Sequence, residues 1–301
     1  MSLSSELQSK DIVTCSDPCT QQELILERGQ TWYTNHPHER NRIEHNLSLM
    51  GLESSTSMVD LVIENILLHY CEKLCGLCHT PQSFHSFLLG TTDCSAALPV
   101  LERARSRGEG VVLATGHFGA VEFIAPALAA RGIDLSVVLR FTTPHFSQQV
   151  RARAEAMHRS GMFGRISFIE IGAPGTVAAL EMASVVRSGG VLLSMFDEET
   201  PYSIPVTLLQ RSLMGGAGLD KLIAFSRAEL LVCPVFMIRM PGTAYVLDCT
   251  PLGNGESNPI QALYNRLEGH LATQPHQWYF LHEELPFAPT PSSTDDRRSA
   301  S

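Results

Sequence analysis

The sequence predicts an α/β protein, with a mostly parallel central sheet, helices on both faces and a helical region ahead of it. Three observations carry this. The 301 residues are 44% hydrophobic and 18% charged, enough apolar material for a sizeable core and too little charge for a globally disordered chain. From Gly110 onward, short runs rich in Val, Ile and Leu alternate with longer helix-like stretches, the signature of βα units around a parallel sheet. Before residue 101 the apolar residues recur instead at three- and four-residue spacing.

Taken in chain order, residues 1–20 are polar and unpatterned and are expected to be disordered. Residues 21–100 read as a helical N-terminal region, in which Val59, Val62, Ile63, Ile66, Leu67 and Tyr70 share one face. Residues 101–285 form the α/β core. Its expected strands lie at 111–114, 135–139, 166–171, 191–195, 231–238 and 245–249, with helices near 120–131, 146–160, 174–188, 217–228 and 259–273. The tail at 286–301 is rich in Pro, Ser and Thr with mixed charge, and is expected to be disordered.

Charge narrows the function. Lys+Arg 22 against Asp+Glu 31 gives −9, which argues against a nucleic-acid partner, since such affinity comes from neutralising phosphates. Residues 101–200 are different: they hold ten acidic and ten basic side chains, every basic one an Arg. Groups such as Arg103, Arg105 and Arg107, or Arg151, Arg153, Arg159 and Arg165, read either as ordinary solvated faces or as a landing surface for an acidic partner or phosphate. The eight cysteines follow no secretory leader and read as reduced thiols, so a cytoplasmic location is expected. Nothing reaches the roughly 18 uninterrupted apolar residues of a membrane span. Peripheral contact with the inner face of a membrane stays open.

The residues best suited to chemistry are Thr115-Gly116-His117-Phe118-Gly119-Ala120-Val121-Glu122. They follow a buried strand and open a helix, where open α/β sheets place ligands. Gly116 and Gly119 let the backbone approach a substrate closely. His117, near its unperturbed pKa of ~6.5, suits a general base. Glu122, five residues on, is expected to fold back and hold one imidazole nitrogen. A structural histidine, with Glu122 merely favouring a helix N-terminus, is the plainer alternative.

The block HFGAVE resembles the His-x4-Asp/Glu motif of the lysophospholipid acyltransferase superfamily, and most closely the bacterial lipid A biosynthesis lauroyl/myristoyl acyltransferase branch, whose block commonly reads HFGNWE. Further similarities follow in order. Val137-Val138-Leu139-Arg140 with Pro144 is similar to a strand ending in Arg and an Asn-Pro step. Met195-Phe196-Asp197 is similar to Pro-Asp-Gln. Leu208 to Gly218, keeping Arg211, is similar to FFGRPAATPTG. Leu231 to Phe236 resembles VVPVF, and Gln274 to His282 resembles HPEQWxWLH. Two departures stand out: nothing resembles the family's anchoring N-terminal transmembrane helix, and Glu283 and Glu284 replace its final basic pair.

The resemblance implies acyl transfer from a thioester, on acyl carrier protein or coenzyme A, to a hydroxyl or amine, in secondary-metabolite or glycolipid biosynthesis. His117 and Glu122 are the expected catalytic pair, with no covalent enzyme intermediate. Gly119, Arg140, Asp197 and Arg211 are expected to bind substrate, the arginines through phosphate oxygens of the donor. Loop amides or Arg140 are candidates for stabilising the oxyanion. The expected partners are acyl carrier protein and a small-molecule, carrier-bound or glycolipid acceptor, with no cofactor. A thioesterase and a non-catalytic acyl-binding protein are the alternatives. Cys71, Cys75 and Cys78 match the CxxxCxxC spacing of iron–sulfur radical enzymes. Their helical spacing also fits one packed face, so no metal is expected there.

Overall fold

The strand Gly110–Thr115, β2, is buried along its whole length and is the central strand of its sheet. In the computed structural model, which describes residues 2–141, 144–171, 176–216, 218–226, 230–242, 244–253 and 256–285, a seven-stranded sheet is built around it. In chain order the elements leading up to β2 are α1 (Leu3–Leu7), α2 (Lys10–Val13), α3 (Pro18–Asn35), α4 (Pro37–Leu49), α5 (Thr56–Cys78), α6 (Pro81–Thr91), β1 (Thr92–Asp93) and α7 (Leu98–Arg107). After it come a 3-10 turn at Val121–Phe123, α8 (Ile124–Ala129), β3 (Leu135–Leu139), α9 (Pro144–Arg159), β4 (Ile166–Glu170), α10 (Thr176–Arg187) and β5 (Val191–Met195). Then follow β6 (Ile204–Leu208), β7 (Arg211–Gly215), α11 (Leu219–Phe225), β8 (Leu230–Met240), β9 (Ala244–Cys249) and α12 (Pro259–Leu271). Two 3-10 turns, Pro275–Gln277 and Tyr279–His282, end the described chain.

The strand order is β1-β9-β8-β2-β5-β3-β4, and every pairing is parallel except β8 with β9. Such strands are covered on both faces, which is why they read as continuous apolar runs. The period of two decides where each side chain goes. Val112 and Ala114 enter one core cluster, with Leu192, Val232 and Phe236, while Val111 and Leu113 enter the other, with Leu193, Cys233 and Val235.

The helical region is docked on this sheet by buried polar contacts. Arg239, near the end of β8, donates from Nε and Nη2 to the two carboxylate oxygens of Glu72 on α5, both at 2.7 Å, and from Nη1 to Asn65 at 3.2 Å. Asn46 on α4 donates to the carbonyls of Leu281 and Glu283 at 2.9 and 2.8 Å. One side of α5 therefore becomes a wall over the ends of the strands.

Residues 2–20 are not loose: Leu3 and Leu7 on α1 and Ile12 on α2 are buried, and Gln21 on α3 donates to the Ile12 carbonyl at 3.0 Å. Three apolar residues among many polar ones were enough to anchor the segment, a signal too sparse to see as a periodicity. Residues 204–215 form an antiparallel hairpin, β6–β7, that was not anticipated. Its two-residue turn places Leu209 and Gln210 at φ 49° and 62°, the primed geometry that suits strand twist but usually advertises itself with Gly or Asn. The tail at 286–301 lies outside the described residues. Among the described residues no helix is long and apolar enough to cross a membrane.

Candidate active site

The site grows from the pairing of β2 with β5. Thr115 is opposite Met195 in the parallel register, so the second residue beyond each strand, His117 and Asp197, emerges at the same level. Asp197 takes the imidazole Nδ1 at 2.8 Å on Oδ1, and the His117 backbone N–H at 2.7 Å on Oδ2. Trp278 Nε1 donates to the same Oδ2 at 3.2 Å. The Asp197 side chain is fully buried. A carboxylate only accepts, so Nδ1 carries the proton and Nε2 of the neutral ring keeps its lone pair. Burial alone disfavours the imidazolium, but the charge and hydrogen bond of Asp197, then Glu198 and Glu122, outweigh it and raise the His117 pKa.

The loop carrying His117 is strapped from two sides. Gly119 donates to the Gln277 carbonyl at 2.9 Å, Ala120 to the Met237 carbonyl at 2.7 Å, and Tyr279 donates to the His117 carbonyl at 2.8 Å. Gly119 sits at φ 65°, and a Cβ there would lie 2.0 Å from the Met237 carbonyl oxygen. At Gly116 a Cβ would meet Asp197 Oδ2 at 2.9 Å. Both glycines thus serve close protein packing. Gln277 completes the strap, accepting from the Arg239 N–H at 2.9 Å and donating to its carbonyl at 3.0 Å.

Glu122 does not hold His117. The ion-pair contacts of His117 among the described residues are to Asp197 and to Glu198, whose Oε1 lies 3.6 Å from Nε2. Glu122 lies on the 3-10 turn and meets His69 of α5 instead, 3.7 Å from Nε2 to Oε1. The strand register delivers Asp197 to the nitrogen that sequence spacing had assigned to Glu122. Both residues nevertheless line one cavity of about 390 Å³. Its walls are largely apolar, with Phe84, Val137, Phe168, Leu193 and Leu222 among them, and Glu198 and Arg140 also reach it.

A model of the bacterial lipid A biosynthesis acyltransferase family matches residues 96–285. The chain belongs to this family. Acyl transfer is accordingly its general chemistry, and α5, with the rest of the helical region up to residue 95, lies ahead of the matched stretch. No curated protein matches the chain.

With this family as frame, the remaining expected residues fall into place unevenly. Arg140 follows β3, is exposed and lines the cavity. Asp197, expected to touch substrate, is sealed under His117. Gly119, expected to face a ligand, has Met237 where a ligand would sit. Arg211 opens β7 in the hairpin and is not among the cavity-lining residues. Much of the arginine stretch is engaged locally: Arg151 with Glu170 at 3.4 Å, Arg159 with Glu155 at 3.5 Å, and Arg165 with His158 at 3.0 Å.

Glu198 and His69 were missed. Glu198 adjoins Asp197 and was within reach of the same reasoning. His69 sits mid-helix on α5, where a lone histidine on an apolar face carries no signal. The three cysteines of α5 do not converge either. Cys71 packs against one core cluster and Cys75 against the other, while Cys78 donates to the Cys15 carbonyl at 2.9 Å. Among the described residues no group of three or more His, Cys, Asp or Glu side chains is disposed to hold a metal ion.

Proposed function

We propose that this acyltransferase moves an acyl group from a carrier-protein or coenzyme A thioester to a hydroxyl or amine, with His117 as general base and Asp197 as its orienting carboxylate. The observation that carries the reading is the 2.8 Å contact of Nδ1 with Asp197 beside an apolar cavity that His117 itself lines. Nε2 takes the acceptor proton as the oxygen or nitrogen attacks the thioester carbon. The tetrahedral intermediate then collapses, the C–S bond breaks, and the imidazolium returns the proton to the leaving thiolate. No covalent enzyme intermediate forms.

The oxyanion needs a donor. Three amides of the His117 loop are already committed, to Asp197, Gln277 and Met237, so Arg140 is the better candidate. Its exposed position at the cavity also suits the phosphate of a phosphopantetheine arm. An acidic carrier protein is the favoured donor partner for a guanidinium so placed.

The test offers acyl-carrier protein and acyl-CoA separately, follows thiol release, and identifies products by mass spectrometry. Transfer to an acceptor, lost in His117→Ala, supports the reading. Wild-type turnover in that variant removes His117 as base. Free acid as the sole product means that water is the acceptor and the enzyme is a thioesterase.

A further inference from the structure

The family match begins at residue 96, yet α5, outside it, sets a titratable side chain against Glu122 and Tyr279 beside the site. His69 is 6% exposed, and its ring centroid lies 4.4 Å from that of Tyr279, whose N–H ties down the His117 carbonyl. Its Nε2 stands 3.7 Å from Glu122 Oε1, and its buried Nδ1 has no hydrogen-bond partner. Burying an imidazole with one nitrogen unsatisfied is costly, and a phenyl ring would fill the same space without that cost. The polar ring is therefore best explained by what its other nitrogen faces.

We propose that His69 is a positioning residue for Glu122, turning the N–H edge of its ring toward the carboxylate at 3.7 Å, an electrostatic contact longer than a direct hydrogen bond, and so keeping it on the α5 side, away from His117. This rests on the reading of His117 as the base. His117 already faces Asp197 and Glu198 from the segment after β5, with the Tyr279 and Phe280 rings closing from the C-terminal turn. A third carboxylate swinging onto Nε2 would favour the imidazolium and block the acceptor. Kept on the α5 side, Glu122 adds no further carboxylate to Nε2, which already has Glu198 Oε1 at 3.6 Å, and it lines the cavity. The groups around His69 keep it in the neutral form this role needs. Burial is the largest influence, and Lys73 on α5, Arg239 on β8, His117 and His282 all act the same way, so that its pKa lies well below 6.5.

The test is an NMR titration of the His117 ring in the full chain, which needs no substrate. His69→Phe removes the donor and keeps a ring of similar size, and His69→Leu serves if that variant does not fold. Either should raise the His117 pKa by about one unit as Glu122 relaxes onto it. His69→Gln, which restores an N–H near the Nε2 position, should return it to the wild-type value. In the Glu122→Gln background the His69 substitution should have no further effect, a dependence that mere loss of packing does not produce. An unmoved His117 titration in the donor-less variants, or an equal shift with Glu122→Gln present, overturns the proposal. Loss of turnover in His117→Ala alongside such a result leaves the base assignment standing and removes only the role of His69.

Discussion

Asp197 binds His117 twice, once at the ring through Nδ1 at 2.8 Å and once at the backbone N–H at 2.7 Å. One carboxylate thereby fixes both the rotamer and the tautomer of the imidazole, and the parallel register of β2 and β5 fixes the carboxylate. Asp197→Asn keeps the shape but offers an amide where Nδ1–H needs an acceptor. By analogy with other His–Asp pairs, kcat should fall about 10³- to 10⁴-fold. Because Asp197 helps to raise the His117 pKa, the acidic limb of kcat/KM should also move to lower pH in the variant. A pH–rate profile checks both, and an unmoved limb refutes the assignment.

How much of this was legible beforehand depended on the range of the interaction. The six strands placed from sequence correspond to β2, β3, β4, β5, β8 and β9, each of which carries a short run rich in Val, Ile, Leu or Phe. The periodicity from Val59 to Tyr70 reappears as the buried face of α5. The His117–Glu122 pairing was drawn from spacing along the chain, which gives proximity but not direction. Asp197, which contacts His117 in the structure, lies in a block expected to bind substrate, and only the strand register sets it beside His117. A usable hint existed: Gly-His follows one apolar run and Phe-Asp another, at the same offset. The β6–β7 hairpin had no such hint, as Leu209 and Gln210 are ordinary residues at positive φ.

The two loop glycines should separate stability from activity. Alanine at Gly119 drives a Cβ into the Met237 carbonyl at 2.0 Å in a left-handed conformation, where neither backbone can yield cheaply. Thermal unfolding of Gly119→Ala should show a destabilisation of several kcal/mol. Gly116→Ala meets the Asp197 carboxylate at 2.9 Å, so its main effect should be displacement of Asp197 and a loss of kcat larger than the loss of stability. Equal stability losses with equal residual activity would contradict this division.

The Glu72–Arg239 pair should behave as a buried ion pair. Its side chains are only 3% and 9% exposed, and burial pushes the Glu72 pKa up even with Arg239 opposing. Arg239→Met strands a buried carboxylate and should cost about 3–5 kcal/mol in urea unfolding. Adding Glu72→Leu should recover much of that loss, because two apolar side chains need no solvation. A double variant no better than the single one would show that the bond itself, rather than the stranded charge, supports the docking of α5.

Acid should weaken the fold partly through His69. Its folded pKa lies well below the 6.5 of the free side chain, so below about pH 6.5 the unfolded chain binds a proton that the folded chain refuses. Stability is lost as pH falls from there toward the folded value. His117 works oppositely: its raised pKa adds stability that is fully present below 6.5 and disappears as pH rises through the folded value. Removing His69 should therefore flatten the acid side of the profile. In urea titrations at pH 7.5 and 5.5, His69→Phe should lose less stability on acidification than the wild type. An identical loss in both proteins would assign the effect to other groups.

The cysteines of α5 should remain thiols without metal. Burial pushes the pKa of Cys71 and of Cys75 up to about 12 and that of Cys78 up to about 11, whereas a cluster ligand must be a thiolate. Cys71 and Cys75 also pack against opposite core clusters, and a four-iron centre requires its ligands around one point. Anaerobically purified protein should be colourless, with iron and zinc well below one equivalent. At pH 8, alkylation should reach the exposed Cys19 first, the half-buried Cys71 and Cys75 later, and the buried Cys94, Cys233 and Cys249 last. Replacing all three α5 cysteines with Ala should lower the unfolding temperature more than the turnover number. A brown preparation containing iron and acid-labile sulfide would overturn this account, because the helix would then have to unwind to bring the three sulfurs together.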